Sequence, residues 1–217
     1  MFTGIVNGLG TVVELDPGAA PGVARLVVDA HGIADDLPAG GSMAVNGVCL
    51  TSIADPARPG VFVAELMGET MDRTSLGRVA PGDAVNLERC VPADGRLDGH
   101  VVQGHVDGAG RVLSITPQGG WTTLRVGVPA RLSPQIAEKG AIAVDGVSLT
   151  VTAVGAPGDG DGWFEVGLIP STLTGTRLGR LHEGDLVNIE TDVLAKYVSR
   201  LMAFASGPDG SSAGDRT

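Results

Sequence analysis

Two short stretches concentrate the side chains able to act as nucleophiles or handle protons. Val45-Asn46-Gly47-Val48-Cys49-Leu50-Thr51 returns in the second half as Val144-Asp145-Gly146-Val147-Ser148-Leu149-Thr150. Cys49 and Ser148 are equivalent, with Thr51 and Thr150 two residues on, so on a strand each pair shares one face. One copy offers a thiol beside a hydroxyl, the other two hydroxyls. Nucleophilic catalysis by Cys49 needs an activating base, and the local sequence supplies none. The competing reading makes Cys49 a small buried filler and Ser148 a hydrogen-bonded structural residue. His100 and His105 flank an apolar stretch found in the second half only, and each fits a structural or a proton-handling role. Gly4 and Gly104 relieve tight turns or let a planar ring approach the backbone. Glu69 with Thr70, answered by Ser171 with Thr172, reads as site groups or as helix caps. Asp192 suits a helix cap and Lys139 a solvated surface charge.

Several function classes are disfavoured. The two cysteines, Cys49 and Cys90, are too few for a disulfide framework, and none of the four histidines falls in a metal motif, so no metal site is expected. A net charge of -10 repels phosphate backbones and anionic lipid head groups, which makes nucleic acid and membranes poor partners and small molecules better ones. Met1-Phe2-Thr3-Gly4-Ile5-Val6 has no basic leader, and no apolar run approaches the roughly 18 residues of a membrane span. A cytoplasmic location is the expectation.

The elements that position these residues follow from the repeat. A length of 217 residues with 43% apolar side chains suits two domains of roughly 100 residues, and 34 glycines imply frequent turns. Gly104-His105-Val106-Asp107-Gly108 answers Gly4-Ile5-Val6-Asn7-Gly8, and Gly184 to Glu190 answers Gly82 to Glu88. Leu124, Val126 and Val128 answer Ala24, Leu26 and Val28, while Leu178-Gly179-Arg180 answers Leu76-Gly77-Arg78. A repeat this long is a domain duplication. Strands are expected at Gly10 to Leu15, around Leu26, at Cys49 to Ile53, Val61 to Met67 and Ala84 to Cys90, with hairpin turns at Asn46-Gly47 and Asp145-Gly146. A short helix is expected over Thr70 to Val79. About six short strands per half predict a closed or nearly closed barrel, which removes exposed edges. The halves are bounded at 1–97 and 98–190, with a Pro, Gly and Asp-rich linker from Val91 to Gly99. Leu194, Tyr197, Val198, Leu201 and Ala205 recur at helical spacing, predicting an amphipathic helix over 191–205 capped by Thr191 or Asp192. Its apolar stripe must bury against its own barrel or against another chain. Residues 206–217, small and polar, read as a disordered tail.

Taken together, Met1-Phe2-Thr3-Gly4-Ile5-Val6, the paired V-[ND]-G-V-[CS]-L-T motifs, Gly104-His105-Val106-Asp107-Gly108, and Leu168-Ile169-Pro170 followed by Thr172 resemble riboflavin synthase of the alpha-chain type. The resemblance spans residues 1 to 203. It implies an all-β fold of two tandem six-stranded Greek-key barrels, with a C-terminal α-helix that joins three chains into a homotrimer. It implies that two molecules of 6,7-dimethyl-8-ribityllumazine exchange a four-carbon unit, giving riboflavin and 5-amino-6-ribitylaminouracil without cofactor or metal. Each barrel would bind one lumazine, and the productive site would form where the first barrel of one chain faces the second barrel of a neighbour.

By motif, the resemblance sets the first lumazine against Gly4, Ile5 and Val6, Cys49, Leu50 and Thr51, and Glu65, Leu66, Met67, Gly68, Glu69 and Thr70. It sets the second against Gly104, His105 and Val106, Ser148, Leu149 and Thr150, and Gly167, Leu168, Ile169, Pro170, Ser171 and Thr172, with Lys139 reaching across a chain boundary. Ser148 and His105, with Asp192, are the candidates for nucleophile or proton handling, and Cys49 and Thr51 for positioning the other lumazine. The differences between Ile5 and His105, Cys49 and Ser148, and Glu69 and Ser171 could set donor and acceptor apart. An association with lumazine synthase leaves no readable mark in the chain. Two rivals are weaker. A non-catalytic lumazine or flavin carrier of the same fold would be expected to lose His105, Ser148 and Thr150, and a flavin reductase would need a nicotinamide domain with its glycine fingerprint.

Overall fold

The computed structural model describes residues 1–55, 58, 60–156 and 162–205. The tail expected over 206–217 lies outside them. The first half contributes β1 (Gly8–Ala20), β2 (Val23–Asp29), β3 (Ser42–Val45), β4 (Val48–Thr51), β5 (Val61–Met67), α1 (Gly68–Arg73) and β6 (Ala84–Arg89). The second contributes β7 (Gly108–Pro117), β8 (Thr122–Val128), β9 (Ala141–Val144), β10 (Val147–Val154), β11 (Gly162–Leu168), α2 (Pro170–Gly175), β12 (Leu186–Thr191) and the terminal helix α3 (Val193–Ala205). β7 to β12 form a closed antiparallel barrel in the order β10-β11-β8-β7-β12-β9. β1 to β6 form a six-stranded sheet in the equivalent order, β4-β3-β6-β1-β2-β5. There β4 is short, and its contact with β5 rests on one bridge, Ser52 to Ala64, and the Ile53 N–H bonded to the Val63 carbonyl at 2.9 Å.

Alternating side chains fill each interior. Leu26, Val28, Phe62, Leu66 and Leu87 are fully buried in the first half, and Leu124, Val126, Phe164, Val166 and Ile189 in the second. The helix expected over Thr70 to Val79 is split. α1 stops at Arg73, and Ser75–Arg78 forms a separate 3-10 turn. Thr74 causes the break: its hydroxyl donates to the Thr70 carbonyl at 2.7 Å and accepts the Leu76 N–H, which starts the new turn. Thr176 does the same before the turn Arg177–Arg180.

The two halves meet tip to tip at the repeated hairpins. Asn46 and Gly47 have φ of 46° and 75°, and Asp145 and Gly146 have 46° and 77°, the positive values that a tight two-residue hairpin demands. A Cβ on Gly47 would lie 2.6 Å from the Gly146 nitrogen, so this contact admits no side chain. Around it runs a buried polar ring. Asn86 donates to the Asp145 carbonyl at 2.9 Å and Asn188 to the Asn46 carbonyl at 2.8 Å, each crossing between halves. The ring is not symmetric. Asp145 is fully buried and paired with Arg177, whereas the equivalent Asn46 and Ser75 leave Asn46 Nδ2 and Ser75 Oγ buried without partners.

Candidate active site

The strands carrying Cys49 and Ser148 obey the expected alternation. Val48 and Leu50 point into the first core, while Cys49 is half-buried and Thr51 exposed. In the second half Val147 faces inward, Ser148 and Leu149 are half-buried, and Thr150 is exposed. The side chains of Leu50, Leu66 and Leu168, residues expected to line the sites, face the cores and are exposed by only 5%, 0% and 1%. Glu65, Met67, Gly68, Glu69, Ile169, Pro170 and Ser171 are exposed around the rims, with Thr70, Gly167 and Thr172 half-buried. Lys139 is exposed in a turn, with φ of 64°.

The two segments that precede the first strand of each half are exchanged between the halves. The Gly4 carbonyl accepts the Ser148 N–H at 2.8 Å, and the Gly104 carbonyl accepts the Cys49 N–H at 2.9 Å. Val6 packs against the second core and Val106 against the first. Gly4 to Val6 therefore belongs with Ser148, and Gly104, His105 and Val106 with Cys49, the reverse of the grouping by sequence order. Sequence proximity favours each segment staying with its own half; the bridge from Phe2 to Val102 locks the opposite arrangement. Phe2 and Val102 are buried there with Ala44 and Ala143.

Each crossed segment is tied to a carboxylate of its own half. Glu88 accepts the N–H groups of Thr3 at 2.6 Å and Gly4 at 3.0 Å, together with the Thr3 hydroxyl. Glu190 accepts those of Gln103, Gly104 and His105 at 2.7, 2.9 and 2.9 Å. Burial pushes both carboxyls above the ordinary glutamate range, opposed by these N–H donors. Neither glutamate stood out as a site residue in the sequence, although both end the repeated stretches at Gly82 and Gly184. A charged residue closing an otherwise buried strand in both copies was the available signal.

The crossing also decides which histidine stands beside Ser148. His105 is exposed and travels to the first half with Gly104, away from Ser148. His100, the residue that follows the linker, stands with its Nδ1 2.6 Å from Ser148 Oγ. Burial holds its imidazole below the ordinary histidine value, opposed by the Asp192 carboxylate, so the neutral ring predominates at neutral pH. Its Nε2 is buried without a partner among the described residues. Asp192 accepts the Leu194 N–H at 2.9 Å and so caps α3. Burial raises the Cys49 thiol pKa, opposed by a hydrogen bond with Ser42, which favours the thiol over the nucleophilic thiolate. The two half-sites are thus chemically unlike: a thiol with an exposed histidine nearby in one, and a serine hydrogen-bonded to a neutral imidazole in the other.

Known proteins share both the sequence and the architecture. Residues 3–90 and 103–192 match the model of the lumazine binding domain. The chain is 46% identical to the riboflavin synthase of Mycobacterium tuberculosis (strain ATCC 25618 / H37Rv) over 94% of its own length and 100% of that protein. It is 38% identical to the riboflavin synthase of Actinobacillus pleuropneumoniae, with 93% of this chain and 90% of that one covered. The crystal structure of LumP complexed with riboflavin is similar with a TM-score of 0.77 and 25% identity, over 88% of this chain and 99% of that chain. The two matched domains and these relatives agree: the chain belongs to the riboflavin synthase family.

Proposed function

We propose that this chain converts two molecules of 6,7-dimethyl-8-ribityllumazine into riboflavin and 5-amino-6-ribitylaminouracil, by moving a four-carbon unit from one to the other. The observation that carries this reading is the pair of like-shaped half-sites with unlike chemistry, because the reaction asks identical molecules to play different parts. One lumazine binds at Cys49 and Thr51 beside His105 and Val106. The other binds at Ser148 and Thr150 beside Gly4, Ile5 and Val6. His100, as hydrogen-bond acceptor, draws on the Ser148 hydroxyl proton and raises the nucleophilic character of its oxygen toward the lumazine bound there. The partner lumazine loses a proton from its C7 methyl and supplies the carbanion. Donor and acceptor are the same compound at the same oxidation level, so the exchange calls for no external oxidant.

Holding both substrates face to face converts a bimolecular encounter into an oriented one. We assign that juxtaposition to a homotrimer assembled through α3, with the first half of one chain facing the second half of its neighbour and Lys139 at the boundary. Support comes from α3 itself. Leu194, Tyr197, Val198, Leu201, Met202 and Phe204 are each more than half exposed, a stripe that its own barrel does not cover.

Incubation of the purified chain with 6,7-dimethyl-8-ribityllumazine alone tests the reaction. Riboflavin and the uracil product in equal amounts are expected. Stoichiometric binding with no riboflavin would instead leave a carrier. His100→Ala and Ser148→Ala should each lower turnover by roughly 10² to 10⁴-fold, and retention of turnover within a few-fold would remove that pair from the mechanism.

A further inference from the structure

A cleft of about 540 Å³ opens between the two halves, walled by the 3-10 turns Ser75–Arg78 and Arg177–Arg180 and by the turns that precede β6 and β12. In a chain with a net charge of -10, it gathers four of the 15 basic residues: Arg78, Arg111, Arg177 and Arg180. Arg177 is committed to the buried Asp145. Arg111 donates to the Gly184 carbonyl at 2.7 Å, which anchors its guanidinium while leaving the charge uncompensated. Arg78 and Arg180, equivalent in the repeat and both exposed, make no ion pair or hydrogen bond among the described residues. The cleft also holds Asp83 and Asp185, which keep their negative charge but make no ion pair with an arginine among the described residues, so Arg78, Arg111 and Arg180 outnumber the two carboxylates. Asp83 accepts the Ala80 N–H and Asp185 the His182 N–H, both at 2.8 Å.

The broken symmetry of the polar ring adds a second mark. Ser75 stands in this cleft where the other half has Arg177, and its buried hydroxyl has no partner among the described residues. A buried hydroxyl left unpaired is destabilising, and a bound acceptor would relieve it. Guanidinium groups match the oxygens of phosphate in paired hydrogen bonds, and the volume falls in the roughly 300 to 1,000 Å³ span of small-molecule sites.

We propose that this cleft binds a small phosphomonoester, its phosphate held by Arg78 and Arg180 with Arg111 beside it and Ser75 as an added donor. The site is separate from the half-sites at Cys49 and Ser148, and the proposed lumazine substrate carries no phosphate. Calorimetric titration of the full chain with ribose 5-phosphate, inorganic phosphate and ribose tests it. The two phosphates should bind saturably at one site per chain, more weakly as salt rises, and ribose should not bind. Arg78→Ala with Arg180→Ala should weaken both by at least about tenfold while lumazine turnover stays at the parent level. Arg180→Glu alone should abolish binding if the double variant fails to fold. Absence of saturable phosphate binding, ribose binding as well as ribose 5-phosphate, or affinity unchanged in these variants would each overturn the proposal, whatever the outcome of the riboflavin assay.

Discussion

The Ser148 to His100 hydrogen bond gives one half-site an imidazole partner that the other lacks, and the burial of that ring has consequences for pH. A histidine whose folded pKa is depressed favours the folded state only while it is neutral. As pH falls below the ordinary value of about 6.5, the unfolded chain takes up the proton first. The contribution of His100 is therefore fully present above about pH 6.5 and drains away as pH falls through the depressed folded value. His100→Gln should flatten the dependence of Tm on pH between about pH 7 and 5 relative to the parent. Equal slopes in thermal melts across that range would mean that His100 does not experience the burial seen here. The Cys49 thiol, raised by burial, fits a contact surface better than a nucleophile.

At the scale of elements, the crossed segments do the positioning. Each passes its glycine over the other half with φ of 75° at Gly4 and 79° at Gly104, a region that side chains rarely adopt. Space forbids one as well: a Cβ would lie 2.5 Å from Ser148 Cβ at Gly4 and 2.6 Å from Cys49 Cβ at Gly104. Gly4→Ala and Gly104→Ala should each cost about 1 to 3 kcal/mol in denaturant unfolding. The crossing also makes their binding defects distinguishable. Gly104→Ala should impair the lumazine held at Cys49, and Gly4→Ala the one held at Ser148. Titration with lumazine should then show one of two sites weakened in each variant, and the double variants Gly104→Ala/Cys49→Ala and Gly4→Ala/Ser148→Ala should weaken no further site. Loss of the site on the same half as the mutated glycine would contradict the exchange.

At the scale of the molecule, two contacts decide how the parts are held. Between the halves, Asp145 is fully buried and Arg177 is its counter-charge. Removing only the guanidinium, as in Arg177→Ala, leaves an uncompensated carboxyl whose pKa burial already raises, and should cost about 3 to 5 kcal/mol. Adding Asp145→Asn to that variant, which reproduces the neutral arrangement at Asn46 and Ser75, should recover much of the loss in urea melts. Between chains, the bare stripe of α3 is the surface through which the proposed trimer would assemble. Leu194→Asp with Leu201→Asp should convert the proposed trimer to monomer by sedimentation velocity and lower riboflavin formation while each chain still binds lumazine. A parent chain that sediments as a monomer would remove the trimer.

The sequence by itself determined the duplication, the alternating strands, the hairpins at Asn46-Gly47 and Asp145-Gly146, and the terminal helix with Thr191 or Asp192 as its cap, because each follows from periodicity or backbone preference within a few residues. It also marked Cys49, Ser148, Gly4 and Gly104 as residues to watch. Tertiary structure alone decided the partners. Local pattern cannot say that the segment before β1 crosses to Ser148 while the segment before β7 crosses to Cys49, since either arrangement buries the same apolar residues against two halves of equivalent strand order. Nor can it tell His100 from His105, whose surroundings come from chain segments far apart in sequence. Glu88 and Glu190 were visible as repeated letters, but their role emerged only when buried N–H groups of the crossing segments needed acceptors. Pattern specifies the elements, and the unmet hydrogen-bonding and packing needs between elements specify how the repeated halves become two different sites.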